Sequence, residues 1–177
     1  VTYESSEAAE AAKKQAEADV AAAEEELAKA EKAKETADRH VSDAKTAYNY
    51  LKGQSEKAEA ALNTAQENVE SARKELEEIC KAYGIRLGME EVTLTGEAGA
   101  AYNEAYEAWR LANEDLEAAK QKAEEAGRAR DQAQNNKDKV EREKEAAEKA
   151  LSEAKNELEY QTLVKENAER NLEKEKK

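Results

Sequence analysis

Residues 84–97, GIRLGMEEVTLTGE, interrupt a sequence that reads as helix on both sides. Gly84 directly follows Tyr83 and suits the first position after a helix, because glycine adopts a positive φ without steric cost. At the other end, Thr95 is a candidate N-cap, and Glu97 falls in the first turn of the next helix. A carboxylate there suits the positive end of the helix dipole. Residues 84–97 are therefore predicted to form a tip between a helix running in and a helix running out.

The tip holds the densest group of bulky apolar residues in the chain and is the candidate recognition site. The group consists of Ile85, Arg86, Leu87, Met89, Val92 and Leu94, and the aromatic residues Tyr83, Tyr102, Tyr106 and Trp109 stand at its base. Residues 92–95 alternate with period two and are the only strand-like piece of the sequence. Loops displayed by rigid scaffolds often carry binding. A small cap that closes the hairpin over its own core explains the same residues.

The sequence before the tip follows a heptad repeat, in which position a is mostly large and position d is mostly alanine. Position a carries Val20, Leu27, Lys34, Val41, Tyr48, Ser55, Leu62, Val69, Leu76 and Tyr83; position d carries Ala23, Ala30, Ala37, Ala44, Leu51, Ala58, Ala65, Ala72 and Ile79. This pattern is typical of a helix that packs through a left-handed seam. It predicts an inward helix over residues 1–83.

The same repeat returns after the tip and predicts an outward helix over residues 98–177. Position a carries Tyr102, Trp109, Leu116, Ala123, Arg130, Lys137, Lys144, Leu151, Leu158, Lys165 and Leu172; position d carries Ala105, Ala112, Ala119, Ala126, Ala133, Val140, Ala147, Ala154, Gln161 and Ala168. The pattern is poorer between Gly127 and Glu145, where position a carries cations. Leu163 and Val164 fall outside it, so either the seam drifts there or a third surface is present.

Gly53 and Gly127 are the candidate interruptions of the two helices. The heptad phase is unchanged across each of them, which favours continuous helices that each glycine weakens by about 1 kcal/mol relative to alanine. The two glycines are about equally far from the tip and suggest a shared bend. Residues 134–136 are also a candidate turn, and with turns the chain would fold into a shorter four-helix bundle.

The predicted fold is all-α. It is an elongated antiparallel helical hairpin or extended helical bundle, with alanine-rich, coiled-coil-like seams and a small head at 84–97. The chain is expected to form a single domain over residues 1–177.

The composition favours long helices and limits the classes of partner. The 177 residues contain no proline or phenylalanine, aromatic residues make up 5% and charged residues 40%, whereas a thick globular core needs bulky side chains. The formal net charge of −13 disfavours nucleic acid and anionic membrane surfaces. No apolar run is long enough to span a membrane, no signal peptide is recognised, and a single cysteine excludes an internal disulfide.

No arrangement of residues predicts catalysis, a metal or a cofactor. A di-iron site needs Glu-x-x-His on two helices, but the single histidine, His40, has Ala37 three residues before it. Cys80 is expected to be a small buried residue rather than a nucleophile. The abundant glutamates are expected to form a solvated face, with i,i+4 pairs such as Glu70–Lys74 and Glu124–Arg128. The chain is therefore predicted to be non-enzymatic, with no cofactor, no small-molecule substrate and no nucleic acid partner.

The alanine- and glutamate-dominated stretches AEADVAAAEEELAKAEKAKE (16–35) and EREKEAAEKALSEAKNELE (141–159) resemble a known family. They are similar to the glutamic acid/alanine-rich protein of African trypanosomes, a surface coat protein of the insect stage. The resemblance implies an extended helical bundle with a core like that of the variant surface glycoprotein. It also implies attachment to the cell surface by a C-terminal GPI anchor, which this chain does not contain. The resemblance transfers no functional residue.

Two further resemblances keep a second function open. The receptor-binding hairpin of colicin-type toxins also consists of two long antiparallel helices with a recognition tip. Streptococcal surface coiled coils are a third resemblance, although they usually form parallel dimers rather than hairpins. We expect a structural coat on the extracellular face of a plasma membrane, with self-association of the chains side by side. The alternative is a module that recognises a protein partner through the tip.

Overall fold

The computed structural model of this chain is all-α, and its two long helices pack as a hairpin. Helix α1 comprises Tyr3–Tyr83 and helix α2 comprises Gly96–Lys176, each with 81 residues. The structure describes residues 3–85 and 96–176. The predicted helical hairpin is confirmed. The strand-like stretch 92–95 and the candidate N-cap Thr95 lie outside the described residues.

Both helices continue through the positions at which an interruption was conceivable. Helix α1 runs through Gly53, and helix α2 runs through Gly127 and residues 134–136. The chain therefore makes no turn at these positions, and it does not form the shorter four-helix bundle. The shared bend stays a prediction.

The contacts of the hairpin group into two compact units, and each unit contains a segment of both helices. Unit 1 consists of Val1–Thr46 and Asn135–Lys177, and unit 2 consists of Ala47–Gln134. Within unit 1, the buried residues Val41 of α1 and Val140 of α2 belong to one apolar cluster. Each unit therefore has a seam of its own in which α1 meets α2.

The heptad pattern predicted from the sequence is the buried face of both helices. Every a and d position from Val20 to Ile79 in α1, and from Tyr102 to Leu172 in α2, is buried or half-buried. The exception is Tyr83, which the pattern assigns to position a but which is 46% exposed. Helix α1 ends at Tyr83, so its side chain lies at the edge of the seam.

The layers of the seam combine large residues with small ones. In unit 2, Leu76 at position a of α1 packs with Ala105 at position d of α2. Because the helices run in opposite directions, this contact sets a register in which a of one helix lies level with d of the other. The same register places Leu62 level with Ala119. Alanine at d lets the helices approach closely, and the larger side chain at a fills the layer.

The outward faces carry charged side chains that pair mainly along their own helix. Glu124 and Arg128 form the predicted i,i+4 pair, with 3.5 Å between Oε2 and Nη2. Glu70 pairs with Arg73 at 2.5 Å, so its ion-pair partner lies one residue before the predicted Lys74. Pairs of this kind contribute only a few tenths of a kcal/mol each, and they mark a solvated face.

The substitution Ala65→Leu tests the layer architecture. Ala65 is buried, and the register of unit 2 places it level with Leu116. A second leucine in this layer has to push the helices apart, so we expect the free energy of unfolding to fall by about 1–3 kcal/mol. The measurement is urea unfolding followed by circular dichroism.

Ala61→Leu is the matched control, because Ala61 lies on the exposed face of the same helix turn. We expect its free energy of unfolding to stay within about 0.5 kcal/mol of the parent chain. Equal losses for the two variants would contradict the assigned layers.

Candidate functional site

An apolar cluster lies where α1 ends and α2 begins, directly adjacent to the predicted tip in sequence. We call it the tip base, and it consists of Leu76, Ile79, Cys80, Ile85, Tyr102, Ala105 and Trp109. Leu76, Cys80 and Ala105 are buried, and the other members are partly buried and pack against them. The heptad repeat accounts for five of the seven, which occupy a or d positions: Leu76, Ile79, Tyr102, Ala105 and Trp109. Cys80 lies one residue after position d, and Ile85 follows the end of α1.

Helix α1 ends at the tip base in a Schellman motif. Gly84 has a φ of 69°, the left-handed conformation that glycine adopts without strain. Its N–H donates to the carbonyl oxygen of Lys81 at 3.4 Å, and the N–H of Ile85 donates to that of Cys80 at 2.7 Å. Ile85 also packs against the cluster that contains Cys80, which is the apolar contact that accompanies this motif. The predicted helix end at Gly84 is confirmed.

Helix α2 begins at Gly96, two residues before the predicted start at residue 98. Gly96 has a φ of 69°, as Gly84 does. A glycine with a left-handed backbone therefore marks each end of the described helical structure around the tip. Glu97 lies in the first turn of α2, where the sequence predicted it.

Three aromatic side chains form a row at the start of α2. The rings of Tyr102 and Tyr106 are stacked, with 6.0 Å between centroids and 19° between planes. Tyr106 and Trp109 are 5.9 Å apart and tilted by 51°. Tyr102 and Trp109 contribute to the tip base, whereas Tyr106 is 41% exposed. Two rings of the row therefore pack against the buried residues of the tip base, and the ring of Tyr106 is exposed to solvent.

The structure describes one of the six candidate recognition residues. Ile85 is part of the Schellman motif and packs against the tip base. The other five candidates, Arg86, Leu87, Met89, Val92 and Leu94, lie outside the described residues. Recognition through the tip stays a prediction.

Cys80 is a buried free thiol within the tip base. Burial raises its pKa, and the nearby carboxylate of Glu77 raises it further. A raised pKa keeps the thiol protonated at neutral pH, and the thiolate is the reactive form. Its neighbours in the cluster are apolar or aromatic. The interpretation of Cys80 as a small buried residue is confirmed.

Outside the tip base, the described chain has grooves that open to solvent, but no cluster of metal-ligating side chains and no membrane-spanning helix. No group of three histidine, cysteine, aspartate or glutamate side chains among residues 3–85 and 96–176 is arranged to hold a metal ion. Two grooves of unit 1 open to solvent; one is lined by alanine, lysine and glutamate side chains, and the other by lysine, arginine, glutamate and Leu172. Neither of the described helices is apolar enough over a sufficient length to cross a bilayer.

Sequence reasoning missed two polar contacts within the seam. In unit 1, Asp38 accepts a hydrogen bond from Lys34 at 3.0 Å and lies 3.7 Å from Lys144 of the facing helix. The hydrogen bond from Lys34 lowers the pKa of Asp38, and the charge of Lys144 lowers it further. In unit 2, Arg130 Nη1 donates to Ser55 Oγ at 3.3 Å, and Ser55 is 1% exposed.

The sequence showed one side of each contact, because Arg130 and Lys144 are cations at position a. The pattern identified Arg130 and Lys144 as departures from the heptad, but it gave no partner for them. A charged group in a seam needs a polar partner. Such a partner lies on the facing helix, so it is found only once the register is known.

These features define a class of protein: an all-α hairpin whose two helices pack through an alanine-rich, coiled-coil-like seam. No family model, curated protein or solved structure matches this chain. Its function is therefore argued from its own residues.

The substitution Gly84→Ala tests the Schellman motif. An added Cβ meets no atom within 4 Å at this position, so any loss of stability comes from the left-handed backbone alone. We expect the free energy of unfolding to fall by about 1–2 kcal/mol, measured by thermal or urea unfolding.

Gly53→Ala is the control, because its added Cβ also meets nothing within 4 Å but Gly53 lies inside α1. This variant is expected to gain about 1 kcal/mol of stability, since alanine is the better helix former. The same change then has opposite signs at the two positions. Equal signs would show that α1 does not end as described.

The reactivity of Cys80 tests its burial. We expect a thiol-specific reagent such as DTNB to react far more slowly with the native chain than with the chain unfolded in guanidinium chloride. The physical reasons are the burial of the sulfur and the raised pKa of the thiol. A native reaction as fast as that of the unfolded chain would contradict the packing of the tip base.

Proposed function

We propose that this chain is a non-enzymatic structural coat protein of a parasite cell surface, of the kind represented by the trypanosome glutamic acid/alanine-rich protein. In this proposal an anchor outside the chain attaches it to the extracellular face of the plasma membrane. The chains pack side by side, shield the membrane and display the tip.

The observation that carries the proposal is that the two faces of each helix differ: one face packs in the seam and the other is exposed to solvent. The a and d positions form the seam, and the outward faces carry many charged side chains, several of which pair with neighbours on their own helix. A shield needs a stable scaffold with a hydrated exterior, and it needs no concave site. Long helices that bury a narrow seam meet that need with few bulky residues.

The charge of the chain bears on how closely copies can pack. A net charge of −13 makes neighbouring copies repel each other. Exposed cations such as Arg128 and Arg170 are interspersed with carboxylates on the outward faces, so neighbouring copies can bring opposite charges together. Salt screens the remaining repulsion over about 8 Å at physiological ionic strength. Side-by-side packing should therefore be denser at physiological salt than at low salt.

A tethering experiment tests the coat proposal. The chain is attached through its C-terminal end to a supported lipid bilayer that carries a hapten on some of its headgroups. We expect antibody binding to the hapten to fall as the surface density of the chain rises, and to reach background at saturation. The saturating density should be higher at 150 mM salt than at 10 mM salt, because screening reduces the repulsion between copies.

A compact globular protein of similar mass, tethered at the same density, is the control. Equal antibody access for the two proteins would contradict the coat proposal. So would a saturating density that does not respond to salt.

Recognition of a protein partner through the tip is the second candidate function. The exposed rings of Tyr83 and Tyr106 beside the tip base favour it, because exposed aromatic side chains are common anchors of protein interfaces. The double variant Met89→Asp/Leu94→Asp separates the two candidates within the tethering experiment. The coat proposal expects unchanged shielding and unchanged helicity. The alternative expects the parent chain, but not the variant, to bind saturably to a target cell surface.

A further inference from the structure

Three consecutive a positions of α2 carry cations, where the rest of the seam carries mostly apolar residues. They are Arg130, Lys137 and Lys144, and all three are half-buried. A cation in a seam loses part of its hydration, so it is unfavourable there unless a polar group compensates it. Two of the three pair in part with carboxylates of α2 itself, Arg130 with Asp131 at 3.2 Å and Lys144 with Glu148 at 3.9 Å, and the facing helix supplies the remaining polar contacts.

The facing helix supplies such groups in each unit. In unit 2, the hydroxyl of Ser55 accepts a hydrogen bond from Arg130, and Ser55 is fully buried. In unit 1, Oδ1 of Asp38 is buried and has no hydrogen-bond partner, and the ammonium group of Lys144 lies 3.7 Å from it across the seam. Helix α1 thus presents a hydroxyl and a carboxylate where α2 presents cations.

We infer that Arg130, Lys137 and Lys144 select α1 as the partner of α2 and prevent α2 from forming a seam with the α2 helix of a second copy. In a seam between two α2 helices, the cations of both copies would be gathered in the same few layers. Like charges placed opposite each other in a seam repel, and neither α2 helix offers Ser55 or Asp38 in compensation. Single polar residues at position a are known to fix the partner and register of coiled coils in this way.

The inference goes beyond the coat proposal and does not depend on it. The seam of this chain is lined mainly by alanine and leucine, residues that fit against any similar helix. Copies held at high density would otherwise be able to exchange helices. The cations disfavour the exchange in which α2 pairs with α2 of another copy.

The triple variant Arg130→Leu/Lys137→Leu/Lys144→Leu of the full chain tests this inference. We expect sedimentation equilibrium to show a two-chain species at concentrations where the parent chain sediments as one copy. A spin label at Ala150→Cys, in a Cys80→Ala background, reports which helices pair. A seam between two α2 helices that places their cations in the same layers puts the two labels within about 40 Å of each other, because Ala150 lies 13 residues from Lys137 and a helix rises about 1.5 Å per residue. Exchange that pairs α1 with α2 of another copy would place them much farther apart.

The matched control is Arg128→Leu/Lys139→Leu/Arg142→Leu, which makes the same change in charge and hydrophobicity at exposed positions of the same stretch. It is expected to behave as the parent chain does. The inference is overturned if the seam variant stays a single copy, or if seam and control variants associate equally. It is also overturned if the associated species shows no short distance between labels, or if the seam variant loses its helical circular dichroism. In that last case the cations would be required for the fold itself.

Discussion

The hairpin depends on the pairing of a large with a small side chain in most layers of its seam. Leu76 against Ala105 shows the arrangement in unit 2. If both positions of a layer were large, two helices could not approach closely enough to exclude water from the seam. If both were small, the layer would bury too little apolar surface to offset the entropy of ordering the chain. Antiparallel pairing of an a-large, d-small helix with another of the same kind satisfies both conditions.

A seam of this kind is narrow, so even some of the residues at its a and d positions are only partly covered. Two helices cover each other on one side only, so Leu27, Leu62 and Leu151 are half-buried although they occupy seam positions. The chain therefore relies on the length of the seam rather than on the depth of a core. Each intrahelical ion pair of the outward faces adds only a few tenths of a kcal/mol to the free energy of unfolding. The main effect of these charged side chains is to keep the outward faces hydrated.

The polar contacts within the seam have a different role from that of the apolar layers. Burying part of Arg130 or Asp38 costs solvation energy, which their hydrogen bonds and ion pairs offset. Their value lies in making one pairing better than its alternatives. At the tip base, backbone geometry and not a polar contact fixes the structure, because the left-handed Gly84 ends α1. For a protein proposed to work at high surface density, a uniquely paired hairpin matters more than maximal stability.

The sequence by itself determined the helices and the face that each helix buries. Heptad spacing acts within a helix, so Val20 to Ile79 and Tyr102 to Leu172 could be assigned to the seam from local pattern alone. Glycine chemistry predicted the end of α1 in the same way, since a left-handed residue needs no tertiary contact to be favourable.

Only the tertiary structure decided which residues meet across the seam. The hydrogen bond between Arg130 and Ser55 and the position of Lys144 beside Asp38 depend on the register of two segments that are far apart in sequence. A seven-residue repeat is compatible with many registers, because each shift by one heptad restores the same pattern of large and small positions. The physical reason for the difference is that periodicity defines a face, whereas a contact requires the relative position of two faces.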